Sequence, residues 1–239
     1  MTWNILDTGI NSAIHNMHLD TKLLGELKGA QPILHLYEWS HPSATYGYFS
    51  RPDLVIDYRA LDEFQVTLAR RPTGGGIIFH VTDFAFSILI PKECRFFSTH
   101  TMKNYEFINT LVVHTIRKFM GYQTYPVLLP EKQEKVTETC KHFCMAKPTK
   151  YDVMIGGKKV GGAAQRKVKN GFLHQGSISL ALPTLEFLKR AIPHQQDVVQ
   201  SMLKGSAILL PHKWTEKMLK EARFEVKEIL KQTCIKNRL

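Results

Sequence analysis

Cysteine is scarce in this chain: four in 239 residues (Cys94, Cys140, Cys144, Cys234), with no CxxC pair among them. That excludes a disulfide framework and a zinc site with a full tetrahedral ligand set. The nearest approach to a metal motif, Cys140-Lys-His142-Phe-Cys144, offers soft ligands at close spacing but lacks a fourth, so no metal is assigned. Long apolar runs are missing too, and nothing approaches the ~20 residues a membrane span needs. The opening Met1-Thr-Trp-Asn-Ile shows no basic segment followed by an apolar stretch. No secretory signal is therefore expected, and the expected address is cytoplasmic. Internal repeats and low-complexity linkers are absent. Acidic residues are in short supply, 21 against 32 Lys+Arg, for a net charge of +11. An excess of that sign attracts nucleic acid, a lipid surface or an acidic protein, or it merely keeps the chain in solution. No zinc finger, RNP or KH signature or helix-turn-helix accompanies it, which disfavours nucleic-acid binding as the main role. What remains, 44% apolar and 10% aromatic, can bury a sizeable core.

The order of elements comes from periodicity. Ser12 can cap a helix running to Leu24, and Ile33 to Trp39 suits a strand that His41-Pro-Ser stops. Ala44 to Phe49 is a short extended run, and Pro52 to Phe64 reads as a turn leading into a short helix. Val66 to Arg70, Ile77 to Phe79 and Phe84 to Ile90 read as strands. Tyr105 to Met120 carries an apolar face and ends at Gly121, a C-cap. Tyr151 to Ile155 and Lys158 to Ala164 form a hairpin around Gly156-Gly157. Gly176 to Leu180 adds a strand. From Pro183 onward the pattern is helical, with Trp214, Met218, Ala222, Val226, Ile229 and Leu230 on one stripe. Residues 122–145 show no usable period, and Lys132 to Lys141 reads as a charged loop able to order over a substrate. Helix, strands, helix, strands, helices is an α+β layer arrangement, not a doubly wound one. The expected organisation is a catalytic domain over 1–182 and a helical extension packed on it over 183–239.

Two segments carry chemistry. In Arg70-Arg71-Pro-Thr-Gly74-Gly75-Gly76-Ile-Ile-Phe-His80, three successive glycines let a ligand approach backbone N–H groups. The two arginines beside them supply forked donors for carboxylate or phosphate. This is either a cradle for an acidic or phosphorylated small molecule or a glycine-rich turn with surface arginines. It is neither a Walker A loop nor a dinucleotide fingerprint. In Tyr151 to Gln165, Lys159 follows a tight turn, and Gly157, Gly161 and Gly162 leave room for a ligand against its strand. A lysine there can steady charge on a carbonyl or acyl phosphate; otherwise it is an exposed hairpin lysine. Lys159→Ala is expected to abolish activity while leaving folding intact, because removing an exposed hairpin lysine costs little stability. Gly171 to Ser177, with His174, adds polar groups on the adjoining strand.

These residues resemble the lipoate–protein ligase and octanoyltransferase family, whose catalytic domain is similar to those of biotin protein ligases and class II synthetases. Arg70 to His80 matches RRxTGGGxVFH with Ile78 for Val, and Gly157 to Gln165 matches GxKVxGxAQ. Asn16 to Leu24 matches NMxLDxxLL, and Trp39 to Phe49 matches WxxPxxxxGxF. The resemblance implies an α+β domain on a mixed, largely antiparallel sheet flanked by helices. It implies transfer of a lipoyl or octanoyl group to one lysine of an acidic lipoyl domain, in a 2-oxoacid dehydrogenase or the glycine cleavage H protein. Arg71 and Gly74 to Gly76 would line the acyl–adenylate pocket. Lys159 would contact the activated carbonyl, His80 would brace the wall, and Gly161, Gly162 and His174 would line the substrate. The charge then suits docking to small acidic carrier domains.

Two chemistries compete within the resemblance. The first reading is a ligase that activates lipoate with ATP and Mg²⁺, with Asp83 and Asp152 as the carboxylates toward that cofactor. The alternative is a transferase that takes octanoate from acyl carrier protein through a Cys144 thioester and needs no cofactor. Cys144-Met-Ala-Lys-Pro148-Thr-Lys-Tyr151 fits the transferase form CxxxPxxY, with Lys141, His142 and Lys147 as candidate cations beside the thiol. Departures cut both ways. Val81-Thr-Asp83-Phe84 lacks the ligase Asp-x-Gly-Asn; Gly76 stands where transferases often carry Arg; His174-Gln-Gly-Ser inverts Gln-His-Gly-Ser; and the ligase accessory domain is shortened to the helical tail. A non-catalytic acyl- or nucleic-acid-binding relative is the remote third reading. All of these require the glycine bend and Lys159 to meet at one apolar slot with a cationic mouth.

Overall fold

Ser12 stands in extended backbone, and its hydroxyl accepts from the His15 N–H, so helix α1 (Ala13–Gly25) begins where the cap dictates. The structure is a computed structural model that describes residues 2–131, 142–146, 148–193 and 195–236. The Lys132–Lys141 loop, Cys140 and Lys147 lie outside the described residues.

Among the described residues, ten strands form two sheets. They are β1 (Asn4–Asn11), β2 (Ile33–Trp39), β3 (Ser43–Tyr46), β4 (Thr67–Arg70), β5 (Ile77–His80), β6 (Asp83–Pro91), β7 (Val127–Leu128), β8 (Val153–Ile155), β9 (Lys158–Val168) and β10 (Gly171–Ser179). The larger sheet runs β1-β2-β6-β10-β9-β8-β7 and the smaller β4-β3-β5. Among the strand pairs of the described residues, β1–β2 and β3–β4 are parallel and the others antiparallel. The sheet is therefore mixed and largely antiparallel, as expected. The β8–β9 connection is Gly156-Gly157 with φ of +55° and +76°, the backbone that a two-residue hairpin loop requires.

The remaining helices are α2 (Tyr58–Glu63), α3 (Thr101–Met120), α4 (Leu185–Ala191), α5 (Gln196–Gly205) and α6 (Glu216–Lys236). One face of the large sheet is covered by α3 and α6, burying Phe86, Phe172, Leu111, Ile116, Val226 and Leu230. Each such side chain contributes roughly 1.5–3 kcal/mol. A second core joins the small sheet to α2, α4 and α5 through Phe79, Phe143, Phe187 and Val198. The helical segment from 183 onward thus supplies side chains to both cores. Arg223 on α6 reaches further, donating Nε to the Asp83 carbonyl (2.9 Å) and Nη2 to the Val81 carbonyl (2.8 Å). Met17 and Ala13 of α1 pack with Tyr37, Ala69 and Ala85. Because β4 carries Ala69 and β6 carries Ala85, α1 touches both sheets. No helix among the described residues is long and apolar enough to cross a membrane.

Candidate active site

The glycine bend and Lys159 meet. Both line one cavity of about 460 Å³, together with Arg71, His80, Cys144, Gly162 and Gln175. The two arginines of the motif part company, because neighbouring residues on extended chain point oppositely. Arg70 is exposed, whereas Arg71 is buried. Arg71 donates Nη2 to the carbonyls of Gly74 and Gly76 (both 2.8 Å) and Nη1 to the Thr45 carbonyl (3.2 Å) and hydroxyl (3.3 Å). Its fork clasps the bend from behind; the anion-binding donors expected of it are spent on backbone. The remaining contact is to chemistry: Nη2 stands 3.5 Å from the Cys144 Sγ.

Cys144 opens a 3₁₀ turn (Cys144–Ala146) held against the bend by a bridge between Ile77 and Phe143. Glycine at position 76 permits this approach. A Cβ there would sit 2.3 Å from the His142 carbonyl oxygen, and one at Gly75 would sit 3.5 Å from the Cys144 sulfur. Among the described residues, Arg71 places a cation beside the thiol. Lys141 and Lys147, the sequence candidates, lie outside the described residues, and His142 is exposed. Gly76→Ala is expected to push the Cys144 turn away from Arg71, cutting the alkylation rate of Cys144 by about tenfold with a modest loss of stability. Timed iodoacetamide labelling read by intact mass checks this.

Lys159 corrects an expectation. It is 3% exposed, not a free hairpin lysine. Its Nζ lies 2.8 Å from Asp152 Oδ2 and donates to the Cys144 carbonyl at 2.8 Å. The cause is a bulge: Val153 pairs with Gly161 but Met154 with Lys159, leaving Val160 extra. Val160 joins the core, while Lys159 and Gly162 face the cavity. A Cβ at Gly162 would lie 2.5 Å from Lys159 Cε, so only glycine lets the lysine fold back. Gly161 has the other orientation. A Cβ there would meet Val153 and Val112, so it faces the core and does not line the cavity.

His80 lines the cavity. It stacks on Trp39 at 4.5 Å, places Nδ1 2.7 Å from Asp83 Oδ2, and places Nε2 2.9 Å from the Thr45 hydroxyl. These contacts make one chain: Arg71 donates to the Thr45 hydroxyl, Thr45 is hydrogen-bonded to the His80 ring, and that ring is hydrogen-bonded to Asp83, which also accepts from Ser177 at 2.5 Å. Burial alone would raise the Asp83 pKa, but the His80 ring, the Ser177 hydroxyl and Arg223 outweigh it and hold the carboxyl below its usual range. A depressed folded value stabilises the protein above the ordinary aspartate pKa, and this is lost as pH falls through the folded value. Asp83→Asn is expected to cost about 1–3 kcal/mol near neutrality and to flatten the acid limb of the stability profile. Urea midpoints taken from about pH 6 down to about pH 2 test this.

His174 is misplaced by the sequence reading. Along β10, Phe172, His174 and Ile178 share one face, Gln175 and Ser177 the other. His174 is fully buried beside Phe86 and Tyr105, with its ring 2.8 Å from Gln165. Burial pushes its pKa down to about 3, so it stays neutral, and it does not line the cavity. Burial likewise pushes the cavity-lining Tyr105 up to about 12, keeping its phenol protonated. The wall position belongs to Gln175, whose Oε1 accepts from Thr73 (2.7 Å) and whose Nε2 donates to Asp20 (2.6 Å). Asp20 also holds His35 (2.8 Å) and Ser87 (2.6 Å). It lies within Asn16 to Leu24, the helix motif, and period alone gave no reason to assign a buried carboxylate a role.

The two carboxylates assigned to ATP and Mg²⁺ each commit one oxygen within the protein, while Asp83 Oδ1 is buried with no partner among the described residues. Asp83 Oδ2 is taken by His80 and Ser177, and Asp152 Oδ2 by Lys159, the Thr149 N–H (2.6 Å) and the Thr149 hydroxyl (3.0 Å). Neither lines the main cavity, and no metal-binding group of three His, Cys, Asp or Glu occurs among the described residues.

A fold of this topology, with the glycine bend and Lys159 on one apolar cavity, marks a class, and comparison with known proteins identifies it. The family described as the lipoyl protein ligase A/B catalytic domain matches residues 12–212, and the chain belongs to that family. Octanoyltransferase LipM of Staphylococcus aureus is 28% identical over 181 residues, covering 74% of this chain and 65% of that protein. The Kyrpidia tusciae octanoyltransferase LipM is 30% identical over 184 residues, covering 76% and 67%. The chain thus spans about two thirds of the length of these curated relatives. Among solved structures, a Thermoplasma acidophilum protein with bound lipoic acid superposes with a TM-score of 0.68 at 21% identity, covering 98% of this chain and 86% of that one. Lipoate-protein ligase A bound with ATP gives 0.68 at 21%, covering 96% and 86%. At that identity these structures establish a shared fold.

Proposed function

We propose that the protein is a cysteine-type octanoyltransferase that moves octanoate from acyl carrier protein to one lysine of an acidic lipoyl domain. The observation that carries this reading is Cys144: half-buried, lining the apolar cavity, with the Arg71 guanidinium 3.5 Å from its sulfur. In the first step Sγ attacks the thioester carbonyl. A C–S bond to Cys144 forms, the bond to the carrier's sulfur breaks, and the released thiol takes the proton that Cys144 gives up. In the second, the acceptor lysine's amine attacks, an amide forms, and the Cys144 sulfur leaves and recovers a proton from the amine. Neither step consumes ATP. Arg71 is placed to steady the sulfur as charge develops on it, and the Lys159 ammonium to steady the acyl oxygen.

Residues 1–182 are the catalytic unit in this reading and 183–239 its packed helical extension, with a cytoplasmic setting. The acceptors are the lipoyl domains of 2-oxoacid dehydrogenases or the glycine cleavage H protein. The ATP-dependent ligase, first in the sequence reading, gives way here because Asp83 and Asp152 each commit Oδ2 within the protein and neither lines the cavity that holds Cys144. Intact mass after incubation with octanoyl–acyl carrier protein alone tests the proposal: an octanoyl adduct is expected without ATP. Acylation of the lipoyl domain only from lipoate with Mg-ATP overturns it in favour of the ligase.

A further inference from the structure

Arg70 has no place in the cavity, and neither does Phe49, the last residue of the Trp39 to Phe49 motif. Both lie beside the glycine bend: Arg70 precedes it in the chain, and the N–H of Tyr48, next to Phe49, donates to the Thr73 carbonyl at 2.8 Å. Phe49 is 88% exposed and meets the Tyr48 ring edge-on at 5.0 Å. Two guanidiniums rest over that same ring, Arg70 at 4.6 Å and Arg166 at 5.2 Å from its centroid. Their partners among the described residues are this ring and, for Arg166, the Pro72 carbonyl at 3.2 Å; neither is anionic. Like charges gathered on one aromatic ring repel, and an acidic surface laid over them relieves that repulsion. Exposed Phe, Tyr and Arg side by side are also the residue types that dominate binding energy at protein interfaces.

The position of this cluster says which partner it fits. The Ser50 hydroxyl donates to the Gly75 carbonyl at 2.7 Å, and a Cβ at Gly75 would lie 3.5 Å from the Cys144 sulfur. At Gly74 a Cβ would meet nothing within 4 Å, so there is open space at the bend itself. An acyl donor presented on a pantetheine arm reaches a sulfur from a distant docking point. An acceptor lysine has a four-carbon stem, so the protein carrying it must press against the rim of the bend itself.

We propose that Tyr48, Phe49, Arg70 and Arg166 form the docking surface for the acceptor: a small acidic domain that presents its target lysine on an exposed turn, with an apolar contact for Phe49. The proposal rests on the acyl-transfer reading for the acceptor's identity. Its test separates the two. Binding of apo lipoyl domain to the Cys144→Ala protein, followed by calorimetry, is independent of chemistry. Arg70→Glu combined with Arg166→Glu is expected to weaken binding by about tenfold at low salt, with the gap closing as ionic strength rises. Phe49→Ser is expected to weaken it at every salt concentration. In the same variants with Cys144 restored, octanoyl loading from acyl carrier protein is expected to stay within about twofold of wild type. Unchanged binding overturns the proposal, and so does loading that falls in step with binding, which assigns the surface to the donor. A wild-type protein that never loads Cys144 refutes the acyl-transfer reading alone, because the binding comparison still decides the docking surface.

Discussion

Cys144→Ala is expected to abolish octanoyl transfer, lowering the rate by on the order of a thousandfold or more, as loss of a nucleophile does. The protein should also take up no octanoyl mass when mixed with octanoyl–acyl carrier protein alone. Folding should be nearly unaffected. Cys144 is half-buried on a 3₁₀ turn, and removing its sulfur costs Arg71 only its longest contact, leaving the clasp on Gly74, Gly76 and Thr45 intact. Cys144→Ser separates size from reactivity, since it keeps the shape and lacks the nucleophilic sulfur. Wild-type turnover in either variant removes Cys144 from the mechanism. Measured together, intact mass and thermal midpoint distinguish a dead nucleophile from a collapsed turn.

Short-range pattern carried the elements and missed the partnerships. Helix α1 begins at the cap that Ser12 announces, and the Gly156-Gly157 hairpin is where the dipeptide places it. Strand β1 escaped notice because Asn4 to Asn11 mixes apolar and polar residues without clean alternation, being held by parallel pairing to β2 at the sheet's end. The site divides along the same line. That the glycine bend and Lys159 share a cavity followed from motifs, but what each side chain touches depended on residues far away in sequence. Cys144 and Arg71 are 73 positions apart, so no local pattern could bring them together. His174 and Gln175 are adjacent, so the strand's two-residue period decided which of them faces the cavity. That assignment needed the sheet's sidedness: β10 buries every residue from Gly171 to Ser179, leaving no polar face to betray it. Asp83 and Asp152 looked like spare carboxylates because their partners, Ser177 and Lys159, arrive only when β10 and β9 are laid beside them.

Lys159 is where that difference has the largest energetic consequence. An exposed hairpin lysine could be removed at little cost, but this one is 3% exposed and bound to Asp152 at 2.8 Å. Lys159→Ala should therefore lose activity and destabilise the fold, because it strands a buried carboxylate. Breaking a buried pair from one side costs about 3–5 kcal/mol. The Thr149 N–H and hydroxyl stay on Asp152 Oδ2 and set the effect at the lower end of that range. Even so, it is a large fraction of the roughly 5–15 kcal/mol that holds a domain together. Lys159→Met combined with Asp152→Asn discharges both partners, so it should recover most of the lost stability while remaining inactive. Urea unfolding with octanoyl-loading assays on the single and double variants separates the two contributions. A single variant as stable as wild type would show that the ion pair carries no weight. A double variant that regains turnover would instead confine Lys159 to structure and leave Arg71 and Cys144 as the reactive pair. The lysine's second contact, to the Cys144 carbonyl at 2.8 Å, favours neither of those outcomes, because it ties the ion pair directly to the backbone carrying the nucleophile.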